Sequence, residues 1–222
     1  MKYIINMKQD LEKMKNHKLD GSIRSKFPLA LKGDEIMRWE AIIGRDIPME
    51  EIEESKLYVR YNTKENKIRG IYGCLMSHLT LLESIVDLKI DDACILEDDS
   101  ESDFIIPEEL KQSNHITYLG GWLVNRKMKD IRKPVLEKAS LKKGINELKE
   151  SRVLTTRAYY IPRWQLAKDL LSYIHKKKTW KAIDIMMSEY VTHLYYPALS
   201  HQILGFESSI GNLQPKIKYK EY

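Results

Sequence analysis

From Gly70 to Leu88 the side chains Ile71, Leu75, His78, Leu82 and Ile85 recur at steps of four, three, four and three. That is the period of a single buried helix face. A few residues on, the pattern changes to a short apolar run, Ala93-Cys94-Ile95-Leu96, which stops in three consecutive carboxylates, Glu97-Asp98-Asp99. A helix followed at once by a strand that is apolar along its length suits an α/β sheet covered on both faces. In such sheets ligands bind outside the carboxyl ends of the strands, which is where these acids sit. Two unit charges about 4 Å apart repel by roughly 4 kcal/mol at an effective dielectric near 20, so the cluster calls for a positive partner. Along an extended strand Glu97 and Asp99 point the same way and Asp98 the other. Two carboxylates could thus grip a hard divalent cation, Mg²⁺ or Mn²⁺, carrying a diphosphate. The plainer reading is an acidic turn in which Asp98 or Ser100 caps the next element.

The rest of the chain alternates in the same way. Lys2 to Met7 reads as a first strand, and Lys8 to Lys18 as a charged helix with Leu11 and Met14 on its inner face. Gly21 to Gly33 is irregular, Met37 to Ile43 reads as a second strand closed by Gly44 and Pro48, and Glu50 to Lys67 as a polar, loop-rich stretch. His115 to Leu119 is expected to be a strand ending at Gly120-Gly121, where backbone could approach a ligand closely, and Lys127 to Lys149 a mobile surface loop. Arg152 to Ile161 reads as a strand, with Pro162 in the first turn of a helix through Leu166, Leu170, Leu171 and Ile174. Thr179 to Tyr190 reads as another helix and His193 to Tyr196 as a last short strand, before a weakly patterned tail beyond Gly205. Strands alternating with helices predict an α/β sandwich around a largely parallel sheet.

At 222 residues and 43% hydrophobic composition, one sizeable core is within reach and two would be crowded, so a single domain over 1–222 is expected. Thirty-seven Lys and Arg against thirty-two Asp and Glu leave a charge of +5, but the signs are mixed along the chain and no nucleic-acid partner is expected. Cys74 and Cys94 each lie in an apolar segment, without a C-x-x-C pair or a zinc-type His/Cys spacing, and read as buried thiols. No run approaches the ~18 apolar residues of a membrane span, and Tyr3-Ile4-Ile5 is too short for a signal-peptide core. A soluble protein of a reducing, cytoplasmic compartment is expected.

The segment Gly70-Ile71-Tyr72-Gly73-Cys74-Leu75-Met76-Ser77-His78, with Ile95-Leu96-Glu97-Asp98-Asp99 some way after it, resembles glycosyltransferase family 25, the group of lipooligosaccharide and collagen galactosyltransferases. Further pieces agree in order: Ile4-Ile5-Asn6, Arg38-Trp39-Glu40-Ala41 with Gly44, and Thr117 to Gly121. They continue with Thr156-Arg157-Ala158-Tyr159, Ala167 to Leu171, and Ala182-Ile183-Asp184. The resemblance implies a GT-A-type α/β/α sandwich, with a nucleotide-sugar-binding half over 1–100, an acceptor and catalytic half over 101–205, and a tail over 206–222. It also implies a uridine diphosphate sugar as donor, a glycan or glycoprotein acceptor, Mn²⁺ or Mg²⁺ as cofactor, and inversion at the anomeric carbon. The chain departs from the family pattern at three points: Ile71 stands where an acidic residue is usual, Lys8 and Lys13 where arginine is favoured after Asn6, and Thr155 where glycine is common.

In glycosyl transfer a divalent ion can neutralise the departing diphosphate without a proton. The protein must then supply ligands for it, Glu97 and Asp99, and one base for the acceptor hydroxyl. The candidate base is Asp184, a carboxylate inside the apolar run Ala182 to Met187, where partial burial would raise its pKa. Taken alone, it reads first as a polar position of an amphipathic helix, capping it or pairing with Lys181, and it is the family resemblance that brings the base into contention. Asn6 and Met7, at the end of the first strand, are candidate nucleoside contacts. Ser77 and His78 take a supporting role beside the donor, or else are a serine bonded back to a carbonyl and a satisfied core imidazole. Asp98, Gly120 and Gly121 complete the candidate donor site. His175-Lys176-Lys177-Lys178 reads as a solvated helix end, with an anionic acceptor or peripheral membrane contact as the sharper alternative. Two rival functions draw on the same acids: a metal-dependent phosphohydrolase or nuclease, and a catalytically silent nucleotide-sugar-binding module.

Overall fold

The computed structural model describes residues 2–6, 36–58, 63–100, 104–126, 138 and 140–201. The expected Lys8 to Lys18 helix, the Gly21 to Gly33 stretch, Met7 and the tail beyond Gly205 lie outside the described residues, and Asn6 is described in its backbone alone.

Seven strands form one sheet: β1 (Lys2–Asn6), β2 (Ile36–Glu40), β3 (Ala93–Glu97), β4 (Thr117–Asn125), β5 (Gly144–Glu147), β6 (Ser151–Ile161) and β7 (His193–Tyr196), in the order β2-β1-β3-β6-β4-β7-β5. β1 runs parallel to both β2 and β3, and β4 parallel to β7. Long β6 lies antiparallel between β3 and β4, and β5 antiparallel on the edge beside β7. Five strands therefore share one direction, and the sheet is mixed, in keeping with a GT-A-like α/β arrangement. The helices are α1 (Met49–Glu54), α2 (Glu65–Asp87), α3 (Glu108–Lys111), α4 (Trp164–His175) and α5 (Ile183–Tyr190). Among the described residues no helix is long and apolar enough to cross a membrane.

Alternation along the strands sorts the core into two faces. Tyr3, Ile5, Ala93, Ile95, Tyr159 and Ile161 join Leu75, Leu79, Leu82 and Ile85 of α2 and Leu170 and Ile174 of α4 in one cluster. Ile4, Cys94, Leu96, Ala158 and Tyr160 form the other, with Leu110 of α3. The α2 leucines are excluded from water, and each contributes about 1.5–3 kcal/mol by that burial. Leu82→Ala would cost about 2–5 kcal/mol through the cavity it leaves. In β3 the parity that sends Ala93 and Ile95 toward α2 carries on to Glu97.

Four expectations are corrected. Met49–Glu54 is helical inside the stretch expected to be loop-rich, with Ile52 buried as its anchor. β4 does not stop at Gly120-Gly121 but runs through to Asn125. A Cβ on Gly120 would fall 2.2 Å from the Ser200 carbonyl oxygen, and Gly121 has φ +136°, so glycine is required for packing and conformation in mid-strand. The expected surface loop holds edge strand β5, whose register against β7 pairs Ile145 with Tyr195. Finally, α5 starts at Ile183 rather than Thr179, because the Trp180 backbone pairs with residues 56 and 58 instead. The other elements fall where the periodicity puts them: β1, β3, β6 and β7, α2 beginning five residues earlier than expected, α4, which starts at Trp164 after an Arg163 cap and so leaves Pro162 ahead of its first turn rather than in it, and a β2 that gives way after Glu40 to a 3₁₀ turn at Gly44–Asp46.

Candidate active site

The site lies at the carboxyl end of β3, where three elements converge. The first is α2, held against the chain after β2 by two glycines: a Cβ on Gly44 would meet the Arg69 carbonyl at 1.7 Å, and one on Gly73 the Gly44 nitrogen at 2.6 Å. One turn on, Ser77 Oγ donates to the Gly73 carbonyl at 2.6 Å and accepts from the Ile42 backbone N–H at 2.8 Å. Gly73 and Ser77 thus clamp α2 to the β2 loop, and that clamp fixes the position of the helix turn carrying Cys74 and His78.

His78 is 1% exposed. Its Nδ1 is 3.0 Å from the Tyr159 hydroxyl, and its Nε2 is 3.4 Å from Glu97 Oε1 without the alignment of a hydrogen bond. Thr156 Oγ1 donates to the same Glu97 oxygen at 2.5 Å. Burial alone would raise the Glu97 carboxyl. The His78 imidazole, the Thr156 hydroxyl and the buried Arg157 guanidinium outweigh it, so its pKa lies below the ordinary carboxylate value. Glu97 remains partly exposed, 28% by side chain, and so stands between the core and solvent.

Beyond Glu97 the strand ends. The Ser100 N–H donates to the Glu97 carbonyl at 3.1 Å, closing a turn, and Ser100 Oγ donates to the Arg157 carbonyl at 2.9 Å. The strand alternation expected of Glu97 and Asp99 is therefore corrected, since Asp98 and Asp99 sit in a turn. Burial pushes the Cys74 thiol well up, and the charges of Glu97, Asp184 and Asp99 push it further.

Asp184 comes from the third element, the first turn of α5, which packs on β6. Burial raises its pKa, the N–H of Ile185 at 2.8 Å opposes that rise, the Glu97 charge adds to it, and the backbone of Thr155 again lowers it. Thr155 is itself unusual, a β-branched residue at φ +78°. It lies where β6 advances four residues, from Leu154 to Ala158, while β4 advances two, from Trp122 to Gly120. That irregularity turns Thr155 toward Asp184 and places Thr156 against Glu97. At the other end of α5, Glu189 accepts from Lys181 at 2.8 Å, Lys177 at 3.0 Å and the Tyr173 hydroxyl at 3.1 Å. Its pKa falls to about 2, against the pull of burial, as those donors stabilise the anion. This knot ties α5 to α4 and holds Asp184 from behind.

A family model for glycosyltransferase family 25, described as an LPS biosynthesis protein, matches residues 1–187. The chain belongs to glycosyltransferase family 25. No curated protein matches it closely enough to stand as a relative. The family 25 match takes in both the α2-β3 unit and Asp184, so the converging acids lie within the domain that makes it a glycosyltransferase.

Of the expected site residues, His78 and Glu97 lie against each other, the charges of Glu97, Asp184 and Asp99 all bear on the Cys74 thiol, and Ser77 precedes His78 on α2. Ser77 and His78 are engaged by protein partners, and at Gly120 it is the Ser200 main chain that comes close. Sequence reasoning passes over Cys74, Thr156, Arg157 and Tyr159 as site residues, although a charged residue in the apolar run of β6 is a signal: Arg157 is 1% exposed.

Proposed function

We propose that this glycosyltransferase is an inverting, cation-dependent hexosyltransferase that moves galactose or glucose from a uridine diphosphate sugar to a hydroxyl of a glycan, such as a lipopolysaccharide, or of a glycoprotein. The observation that carries the reading is the pairing of two carboxylates with opposed shifts, Glu97 held ionised and Asp184 raised, at one strand end. Neighbouring groups driven apart in this way divide into an electrostatic partner and a base.

Glu97 offers a carboxylate oxygen beside the His78 imidazole and the Cys74 thiol, a set that could hold a divalent cation, and Asp99, whose charge also reaches that thiol, is the second oxygen donor we assign to it. Such a cation, when bound, neutralises charge on a leaving diphosphate. Glu97 is kept anionic for it by Thr156 and Arg157. Asp184 accepts the proton of the acceptor hydroxyl as that oxygen attacks the anomeric carbon. Its raised pKa brings it nearer to working pH, and the Ile185 N–H donates to its Oδ1 at 2.8 Å. Asn6, the last residue of β1, and Met7 after it in the sequence contact the nucleoside, with Asp98 along the donor. Ser77 and His78 act by holding α2 and Glu97 in place.

Purified protein with Mn²⁺ should release uridine diphosphate from at least one sugar nucleotide in the presence of a glycan acceptor. Asp184→Asn should lower transfer by roughly 10²–10⁴-fold while leaving donor binding intact. If no sugar nucleotide binds or turns over with any divalent ion, and simple phosphate esters are hydrolysed instead, the reading fails.

A further inference from the structure

Cys74, His78 and Glu97 lie on two elements whose sequence spacing gives no zinc signature, yet their ligand atoms fall within 4.8 Å of one another. We infer that Cys74 Sγ, His78 Nε2 and Glu97 Oε1 form a site for a borderline-soft divalent cation of the Zn²⁺ class, distinct in donor chemistry from an all-oxygen Mg²⁺ or Mn²⁺ site. The inference goes beyond the proposed function in that it requires neither donor nor turnover.

Three observations carry it. Zinc holds nitrogen and carboxylate oxygen at about 2.0–2.2 Å, so two such ligands at a tetrahedral angle stand about 3.4 Å apart. The His78 Nε2 to Glu97 Oε1 separation is 3.4 Å, and the buried Nε2 makes no hydrogen bond there among the described residues. It is a long contact for a hydrogen bond and a fitting edge for a coordination tetrahedron. Cys74 and His78 are four apart on α2, so both project on the face turned to Glu97, and the thiol need close by only about 1 Å to complete three ligands. The outer partners are already in place. The Tyr159 hydroxyl lies 3.0 Å from Nδ1, where it can accept that nitrogen's proton when Nε2 binds a metal, and the Thr156 hydroxyl orients the carboxylate. Three protein ligands leave a fourth position open. Cys74 is only partly buried, which gives a metal an entry path. Binding releases the thiol proton to solvent.

Glu97 belongs to this site and to the proposed oxygen-donor site, so a soft cation here should compete with Mn²⁺ for one carboxylate.

The test uses metal alone on the unaltered, reduced full chain without sugar nucleotide. Titration with Co²⁺ should give the intense thiolate-to-cobalt charge-transfer absorption that oxygen and nitrogen ligands do not give. Zn²⁺ should bleach it at one equivalent per chain. Cys94→Ala should keep the band and Cys74→Ser should lose it. Tyr159→Phe, which removes only an outer partner, should weaken Zn²⁺ binding by about 10–100-fold. A cobalt complex without the thiolate band, or Zn²⁺ affinity unchanged in Cys74→Ser, overturns the assignment. A positive cobalt result with no sugar-nucleotide turnover would leave this site standing and the hexosyltransferase reading fallen, and the reverse pair of results would do the opposite.

Discussion

The two edges of the central sheet treat titratable side chains in opposite ways. At the carboxyl end of β3, His78 faces Glu97 and the acids Asp99 and Asp184 crowd behind, so that charge is concentrated and partly desolvated. At the amino ends of β4 and β7, His115 and His193 stack face to face, with ring centroids 3.9 Å apart and planes within 8°. There burial lowers the His193 pKa, the His115 neighbour lowers it further, and Glu147 only partly opposes them. The first edge gathers charge that a ligand would complete. The second disfavours charge on His193, whose ring is partly desolvated and stacked on its neighbour. What separates an active edge from a structural one here is whether the local groups are balanced without a visitor.

The largest effect that would break this contrast lies at Asp184. Asp184→Asn should lower transfer by roughly 10²–10⁴-fold, the scale of a general base. It should also raise thermal stability at neutral pH. A carboxyl whose folded pKa lies above its unfolded value of 3.8 favours the folded state as it protonates and opposes it when ionised, so removing its charge removes that cost. Turnover assays beside a melting curve check both halves, and an active variant would reduce the edge to a structural one.

His78→Ala comes next. It leaves a cavity under α2 and deprives Glu97 of its neighbour, and a loss of about 2–4 kcal/mol is expected in urea unfolding at pH 7. The Glu97 contribution has a definite sign. Its folded pKa is depressed, so the stability it lends is complete above the unfolded value of 4.5 and disappears as pH falls through the lowered folded value. In His78→Ala this acid-side loss should shrink.

Thr155→Gly sharpens the comparison by relieving strain within the active edge. The φ of +78° costs a β-branched residue about 1–3 kcal/mol, and Thr155 Oγ1 is buried without a hydrogen bond among the described residues. Glycine returns about 0.5–1 kcal/mol of that in backbone entropy, so a net gain of about 1–2 kcal/mol should appear in chemical denaturation.

The smallest effect is at the quiet edge. His193 has a depressed pKa, so its share of stability is whole above the unfolded value of 6.5 and is lost as pH falls from there through the lowered folded value. His193→Phe keeps a ring against His115 and removes that titration. The decline in melting temperature just below pH 6.5 should flatten, and an unchanged profile would mean the stack does not set it.

Much of this was legible from periodicity. The stripe on α2 and the apolar run of β3 each report burial directly, which is why both elements and the inward position of His78 follow from the chain alone. The strand β4 was harder, because mid-strand glycines ordinarily mean an ending, and only the Ser200 carbonyl and the twist at Gly121 explain them. β5 is four residues on an edge, held by β7 rather than by its own propensity. At the site, Glu97, Asp99 and Asp184 stood out as acids in or beside apolar runs. Thr156 and Tyr159 did not, since a hydroxyl in a strand looks the same whether or not a carboxylate lies across from it. Cys74 read as a buried thiol because its partner Glu97 is contributed by a different element.

The irregular stretch of β6 has an evolutionary corollary. One local distortion sets the backbone at 155 against Asp184 and the hydroxyl at 156 against Glu97, so the proposed base and the proposed cation ligand are indexed to the same few peptide units. Neither can drift independently of the other. A one-residue deletion between 154 and 157 would disengage both at once, whereas side-chain replacements there could retune them separately. Adaptation to new donors should therefore proceed at this point by substitution and leave length changes to the surrounding loops.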